Sequence, residues 1–397
     1  MEQSSPQSAE TNRAGGVLGV LALTSQYPNP AQPGAASFNR QLFAALAKLC
    51  RLSLVAPTPW PLWLRGRGAG RPAAGFPVRR PCYFYPPGFA RQLHGWCYYF
   101  SARRAVLAAA RASRPDVLLA TWAYPDGWAG LRLAHALGLP LVLKLHGSDV
   151  NDQPNDPRRR PLIEAALAGA AAVVCPSQAL AQRARELGAA AAKVFVAPNG
   201  VDTALFQPRD KAACRRELGL ATDGPLLLFV GRLVEVKQPW LAIEALGRLP
   251  EARLIMLGEG PLRSRLAAQA AQAGLAGRVF WAGDQPHAQV ARFMAAADCL
   301  CLTSRAEGSP NVVREALAAG LPVAAFAVGG VPELLTGNPH AALVTPGDAA
   351  ALVRAVASLL GHASRPTEVA AASGALSWTD SAATLFGVLR RAAGKAA

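Results

Sequence analysis

Between Thr11 and Pro115 the sequence contains no aspartate or glutamate, yet it carries 14 lysines and arginines there. So long an acid-free stretch departs from the mixed signs usual on soluble surfaces. It directs attention to an anionic partner, either nucleic acid, a membrane face or a substrate. No apolar run reaches the roughly 18 residues of a membrane-spanning helix. The seven-residue run 17–23 (VLGVLAL) follows a polar tail with Arg13 and reads as a first buried strand, not a secretory signal. The seven cysteines, at 50, 82, 97, 175, 214, 299 and 301, form no C-x-x-C pair. Reduced thiols in a cytosolic protein are expected, without a zinc site. There is no D-x-D triad and no His/Asp cluster at metal-ligand spacing, so neither a metal nor another cofactor is expected. The G-x-G of Gly258 and Gly260 has Arg263 where a dinucleotide fingerprint needs glycine. It also follows a strand of the second half, which argues against a nicotinamide dehydrogenase. No recognised nucleic-acid motif accompanies the basic first half, so a nucleic-acid-binding protein is only a distant alternative.

What is present suits a large globular chain. At about 100–200 residues per domain, 397 residues suggest two domains. With 51% apolar and 17% charged residues, the chain can bury its cores without disulfide help. The formal charge is +16 and is uneven. Residues 1–205 hold 22 Lys and Arg against 10 Asp and Glu, whereas residues 206–397 hold 19 against 15. Residues 60–104 interleave Arg65, Arg67, Arg71, Arg79, Arg80, Arg91, Arg103 and Arg104 with eleven aromatics from Trp60 to Phe100. That mixture suits an anionic membrane surface, and Arg79 and Arg80 could pair with an acceptor phosphate. The plainer reading is buried aromatics beside solvated arginines.

Short apolar runs alternate with amphipathic stretches. Strands are expected at 17–23, 51–56, 116–121, 140–145, 171–175 and 193–197, with helices at 36–49, 98–112, 127–137, 158–169 and 177–187. The pattern then restarts. Strands at 225–230, 252–257, 278–282, 298–302, 321–326 and 341–344 alternate with helices at 238–248, 261–273, 287–296, 311–319, 330–335 and 348–360. Strands separated by helices mean parallel sheets covered on both faces. The expected fold class is therefore α/β, with two Rossmann-like doubly wound domains facing a central cleft. The expected divisions are a disordered tail at 1–16, a first domain at 17–205, a second at 206–376 and a final helix at 377–397.

Three segments carry chemistry. In 229–237, FVGRLVEVK, a strand ends at Gly231, and Arg232 and Lys237 follow. Glycine permits close backbone approach, and two cations beyond a strand's carboxyl end suit a diphosphate. Alone, a Gly-Arg after a strand is more often a loop. In 303–320, TSRAEGSPNVVREALAAG, a turn at Gly308, Ser309 and Pro310 leads into a helix beginning near Asn311. Its first amides form an anion site, while Glu307 and Glu315 can accept hydrogen bonds from hydroxyls. Phosphate donors and hydroxyl acceptors together fit a nucleotide sugar. In 145–150, LHGSDV, His146 and Asp149 stand in a loop after a strand of the first half. By itself that is as consistent with a hydrogen-bonded structural histidine.

Taken together, GRLVEVK, HGSD, GEGP at 258–261, EGSPNVVREALAAGLPV at 307–323 and VGGVPE at 328–333 resemble glycosyltransferase family 4, over about 17–395. The first loop, TSQYPNPAQPGAASF at 24–38, is similar to the family's, with a single Gly34 where a pair is common. HGSDVN most resembles the branch that builds surface polysaccharides and teichuronic-type polymers. The resemblance implies retaining enzymes of the GT-B fold. It assigns Arg232 and Lys237, with the backbone at Gly231, Gly308, Asn311, Val312 and Val313, to the donor diphosphate. It gives Glu315 to the ribose, Glu307 to the transferred sugar and His146 to a place beside the reacting carbon. Gly34 would let the first loop close on the phosphate, and Asp149 would orient the His146 loop or the acceptor. Trp378 would start a helix that crosses back to the first domain. The partners implied are a nucleotide diphosphate sugar carrying a hexose and a glycan acceptor, lipid-linked in exopolysaccharide synthesis or else a soluble small molecule. The expected location is cytoplasmic and peripheral on the inner membrane face.

Overall fold

The computed structural model describes residues 17–67, 74–86, 90–362 and 364–395. The tail 1–16 and Arg71 and Phe89 of the arginine–aromatic segment lie outside them. The first sheet comprises β1 (Gly19–Leu23), β2 (Arg51–Val55), β3 (Val78–Arg79), β4 (Val117–Thr121), β5 (Leu141–Lys144), β6 (Ala172–Cys175) and β7 (Val194–Val196). All its neighbours pair in parallel, in the order β3-β2-β1-β4-β5-β6-β7. The second sheet comprises β8 (Leu226–Val230), β9 (Arg253–Leu257), β10 (Val279–Gly283), β11 (Cys299–Leu302), β12 (Val323–Phe326) and β13 (Ala341–Val344). Its order is β10-β9-β8-β11-β12-β13, again wholly parallel. In each sheet the winding reverses beside the first strand, between β1 and β4 and between β8 and β11. The crevice outside the carboxyl ends at such a reversal is where doubly wound sheets bind ligands.

The central strands read as mainly apolar runs because helices cover both faces. Side-chain alternation divides the first sheet's residues between two cores. Leu21, Leu118, Leu143 and Val173 pack with Tyr98, Val106, Trp128 and Leu133, from the helices His94–Ser113 and Trp128–Leu137. Val20, Leu119, Val142 and Val174 face Leu42 and Phe43 of the helix Ser37–Leu46. The same core takes Trp378, Leu385 and Leu389 from the last helix, Trp378–Ala392, so that helix lies on the first domain. A capping box between Ser377 and Asp380 starts it. Lys395, just beyond it, reaches Asp116 at 2.8 Å, and Asp116 also accepts the Gly19 amide at 2.7 Å. Val201 and Phe206 already belong to the second core.

Some elements exceed the expectation. The edge strand β3 and a two-residue ladder between Thr58–Pro59 and Cys82–Tyr83 are too short to show a period. The helix Lys211–Glu217 precedes the first strand expected in the second domain and was not anticipated. It buries only Cys214 and Arg215, so it shows no apolar stripe; Asp210 caps it through the Ala213 amide.

Candidate active site

The loops that leave β8 and β11 meet at the reversal of the second sheet. Gly231 ends β8 with φ of +151°, a conformation that disfavours a side chain. Gly258, after β9, packs against it so closely that an added Cβ would lie 2.1 Å from the Gly231 carbonyl oxygen. A Cβ on Gly260 would lie 2.4 Å from the Leu233 oxygen. The GEGP motif is thus the seat of the Gly231–Leu233 turn. Within that turn Arg232 is exposed, with no ion pair among the described residues. Lys237 Nζ lies 2.5 Å from Oε1 of the buried Glu307. The two loops are further joined by Thr303 Oγ1 donating to the Lys237 oxygen at 2.8 Å and by the Arg305 amide donating to Val236 at 2.8 Å.

The helix Asn311–Ala318 follows, with Pro310 at its N-cap and no side chain capping it. The Val313 amide turns to the Pro310 oxygen at 3.2 Å, leaving Asn311 and Val312 as the open amides of the helix start. One turn on, Glu315 Oε1 meets His287 Nε2 at 2.9 Å. Thus Gly231, Arg232 and Lys237 stand on the loop after β8, while Glu307, Gly308, Asn311, Val312, Val313 and Glu315 stand on the loop and helix after β11; the Val313 amide, expected to face the phosphates, is instead taken by Pro310.

The first domain meets this rim of two loops through the loop after β5. A Cβ on Gly308 would come within 2.5 Å of the His146 oxygen and 2.7 Å of Gly147 Cα, so two backbones touch directly. Ser177 Oγ donates to the Gly308 oxygen at 2.9 Å, Asn151 Nδ2 to the Glu307 oxygen at 3.3 Å, and Asn199 Nδ2 to Asn311 Oδ1 at 2.9 Å. VGGVPE completes the contact. Gly329 and Gly330 back onto the Glu307 and Gly308 oxygens. Glu333 accepts the Gln178 and Ala179 amides, each at 2.7 Å, where negative charge suits a helix start.

The His146 ring lies between Phe38, at 4.9 Å between centroids, and Trp122, at 5.6 Å and nearly parallel. Its Nε2 is shielded and has no partner among the described residues. Burial, and then the nearby Lys144, hold the imidazole well below its usual pKa, so it is neutral. Asp149 is fully buried and accepts the amides of Gly147 at 2.7 Å, Ala123 at 3.1 Å and His146 at 3.2 Å. It shapes the His146 loop from beneath. Desolvation raises its pKa despite those bonds.

The first loop is fixed at its root. Asp126, fully buried after β4, accepts the Ser25 amide, Ser25 Oγ at 2.9 Å and Tyr98 Oη at 3.0 Å. Burial pushes its carboxyl up to about 7. Gly34 lies further out, and an added Cβ there would meet no atom within 4 Å. Arg80 turns back to this loop, with Nε 3.4 Å from the Pro28 oxygen and its guanidinium over Tyr27. Arg79 is exposed on the edge strand β3.

Sequence reasoning missed Lys144, Asn199, Asp126 and His287. Lys144 is fully buried, and desolvation lowers its pKa to about 8. It donates to Asn199 Oδ1 at 3.2 Å, so a Lys144–Asn199–Asn311 chain, buried at its lysine end, crosses between the domains. A lone lysine inside the apolar run LVLKL was the available signal. His287 gave none, since its partner is 28 residues away.

Comparison with known proteins accords with this geometry. Residues 33–205 match the model of Glycosyltransferase Family 4, and residues 210–372 match that of Glycosyl transferases group 1. TuaC of Bacillus subtilis, named for glycosyl transfer in teichuronic acid biosynthesis, is 31% identical over 85% of this chain and 88% of its own. A D-inositol 3-phosphate glycosyltransferase of Xylanimonas cellulosilytica is 32% identical over 67% of this chain and 70% of its own. The fold matches HepE of Anabaena, solved in complex with UDP, with a TM-score of 0.75 and 21% identity over 94% of this chain and 100% of that one. The chain is a glycosyltransferase of the GT-B fold and belongs to glycosyltransferase family 4.

Proposed function

We propose that the chain moves a hexose, with retention, from a nucleoside diphosphate sugar to a lipid-linked glycan acceptor in cell-surface polysaccharide synthesis. The observation that carries the donor assignment is the rim itself. Arg232, the Lys237–Glu307 pair and the open amides of Asn311 and Val312 converge where β8 and β11 diverge. A departing diphosphate there gains charge where cations and amides already stand, so stabilisation grows towards the transition state. These groups would serve in place of a protein-held metal. Among the described residues no group of three His, Cys, Asp or Glu side chains could hold one. HepE has been solved with UDP and with UDP-glucose, which supports a nucleotide sugar as the partner.

Retention by double displacement would need a free carboxylate beside the anomeric carbon. Asp149 is committed to backbone amides, Asp126 to the first loop and Glu307 to Lys237. That favours a front-face route, in which the leaving diphosphate helps take the acceptor proton. The similarity to TuaC supports a surface polymer as product. The relative named for D-inositol 3-phosphate supports a second reading, the same chemistry on a small soluble phosphate.

The test is a thermal-shift and donor-hydrolysis screen with UDP-, GDP- and ADP-sugars, with and without EDTA. A ligand that binds the folded state stabilises it by RT ln(1 + [L]/Kd), so one donor series should stand out. Hydrolysis should survive EDTA. No shift and no turnover with any of them would overturn the reading. Activity lost to EDTA and restored by magnesium would overturn its metal-free part.

A further inference from the structure

We propose that His287 is a positioning residue for the nucleotide's ribose: it fixes the Glu315 carboxylate and so makes the site selective for ribonucleotides. This rests on the donor assignment above. Glu315 stands four residues after Asn311 on the same helix, about 6 Å further along its axis. That is the scale of a sugar ring beside its phosphate, so a nucleotide whose phosphate meets the helix start brings its diol towards Glu315. A glutamate's terminal torsion is broad, and an unsupported carboxylate must be ordered when it binds.

His287 removes that freedom. Its Nε2 lies 2.9 Å from Glu315 Oε1, with the two side chains 21% and 15% exposed. Both therefore stay open to a ligand while largely walled by protein. The imidazole is itself held. It begins the helix His287–Ala296 and packs edge-on against the buried Phe206, at 4.8 Å between centroids. Glu315 has no other side-chain partner among the described residues. A carboxylate only accepts hydrogen bonds. With Oε1 held by the imidazole, Oε2 and the remaining lone pair of Oε1 are left to accept the ribose hydroxyls. Phe206 lies at the start of the second domain's core, so the support for the ribose comes from outside the loops that carry the cations.

The test compares UDP, GDP and ADP with their 2′-deoxy counterparts by titration calorimetry, on wild type, His287→Ala, His287→Gln and Glu315→Ala. Melting temperatures report on folding. For the base that binds, wild type should prefer the ribonucleotide by roughly tenfold or more, since a hydrogen bond to a charged group is lost in the deoxy form. His287→Ala should cut that preference to about threefold or less without a large change in melting temperature. His287→Gln should recover most of it, because its amide can donate to the carboxylate. Glu315→Ala should abolish it. If Glu315→Ala abolishes the preference and His287→Ala keeps it, the role of His287 falls and the donor site stands. Tighter ribonucleotide binding by His287→Ala would make His287 a competitor of the ribose and also overturn the proposal. If both variants keep the preference, or wild type binds no nucleotide, the donor assignment falls and takes this proposal with it.

Discussion

At the scale of single residues, the site is governed by which charges have partners. Lys237 and Glu307 hold each other at 2.5 Å, with Glu307 side-chain exposure of only 8%. Removing either leaves the other poorly paired, which costs more than the pair itself contributes. Lys237→Ala should therefore lose both stability and transfer. Adding Glu307→Gln should recover much of the stability, measured by denaturant melts, while transfer stays low. Arg232 has no such partner among the described residues, so Arg232→Ala should leave stability unchanged and slow transfer by on the order of 100-fold, as for a lost oxyanion donor. Near-wild-type transfer by the Arg232→Ala, Lys237→Ala double variant would remove the diphosphate from this rim.

Asp126 gives a pH signature. Its carboxyl is raised to about 7 by burial, against an ordinary value of 3.8. Between those values the folded state holds a proton that the unfolded state has released. Its stabilising contribution is full below about pH 4 and is lost as pH rises through about 7. Relative to Asp126→Asn, wild-type stability should fall across that window. Parallel stability curves for the two proteins from pH 4 to 8 would contradict the raised pKa.

At the scale of elements, glycine contacts decide the geometry. A methyl on Gly308 would strike the His146 oxygen at 2.5 Å and Gly147 Cα at 2.7 Å, both backbone atoms that cannot swing aside. Gly308→Ala should keep both domains folded but separate the two loops and lower kcat/KM by on the order of 100-fold, since small misplacements near the reacting atoms are costly. Gly34→Ala should not change stability, because the space around it is open. Any loss of transfer there would come from a state in which the first loop has moved onto a donor. Equal transfer by Gly308→Ala and wild type would show that the direct backbone contact is dispensable.

The same elements show what the sequence could and could not tell. The twelve longer strands were legible because each is a mainly apolar run between helices, even where β10 and β13 are only partly buried, and such a run needs no partner to be recognised. The placement of Arg232, Lys237, Glu307 and Glu315 on two neighbouring loops was legible because they sit at fixed offsets from a strand end and a helix start. The second function of the glycines in GEGP and VGGVPE was not. Gly258 and Gly329 are shaped by loops from other strands, and spacing along the chain does not report contact across it. Lys144 and Asn199 escaped for the same reason, being joined by a bond between residues 55 apart. Arg80 was read as an acceptor cation from the arginine–aromatic stretch around it, whereas its guanidinium turns to the first loop.

At the scale of the whole molecule, the proposed lipid-linked acceptor raises the question of whether a face of the first domain meets a membrane. Among the described residues no helix is long and apolar enough to cross one. Six of the ten most exposed large hydrophobic side chains among those residues lie within 60–104: Trp63, Leu64, Phe84, Leu93, Trp96 and Phe100. Tyr83 and Tyr98 from the same segment are core residues, so burial accounts for only part of its aromatic content. Trp96 and Phe100 stack at 5.8 Å on the helix His94–Ser113, which also carries Arg103 and Arg104. Exposed rings beside arginines suit an interfacial zone. Each cation near an anionic surface contributes about 1 kcal/mol, and several acting together suffice for reversible docking. Co-sedimentation with vesicles should therefore require anionic lipid and weaken as salt rises, because charges on a surface are screened over about 8–10 Å. Phe84→Ser combined with Phe100→Ser should weaken binding without reducing its salt dependence, since they remove apolar area and no charge. Arg103→Ser combined with Arg104→Ser should reduce both. Equal binding to neutral and anionic vesicles, or none at low salt, would detach the acceptor from the membrane and favour the soluble phosphate, with the donor site unaffected.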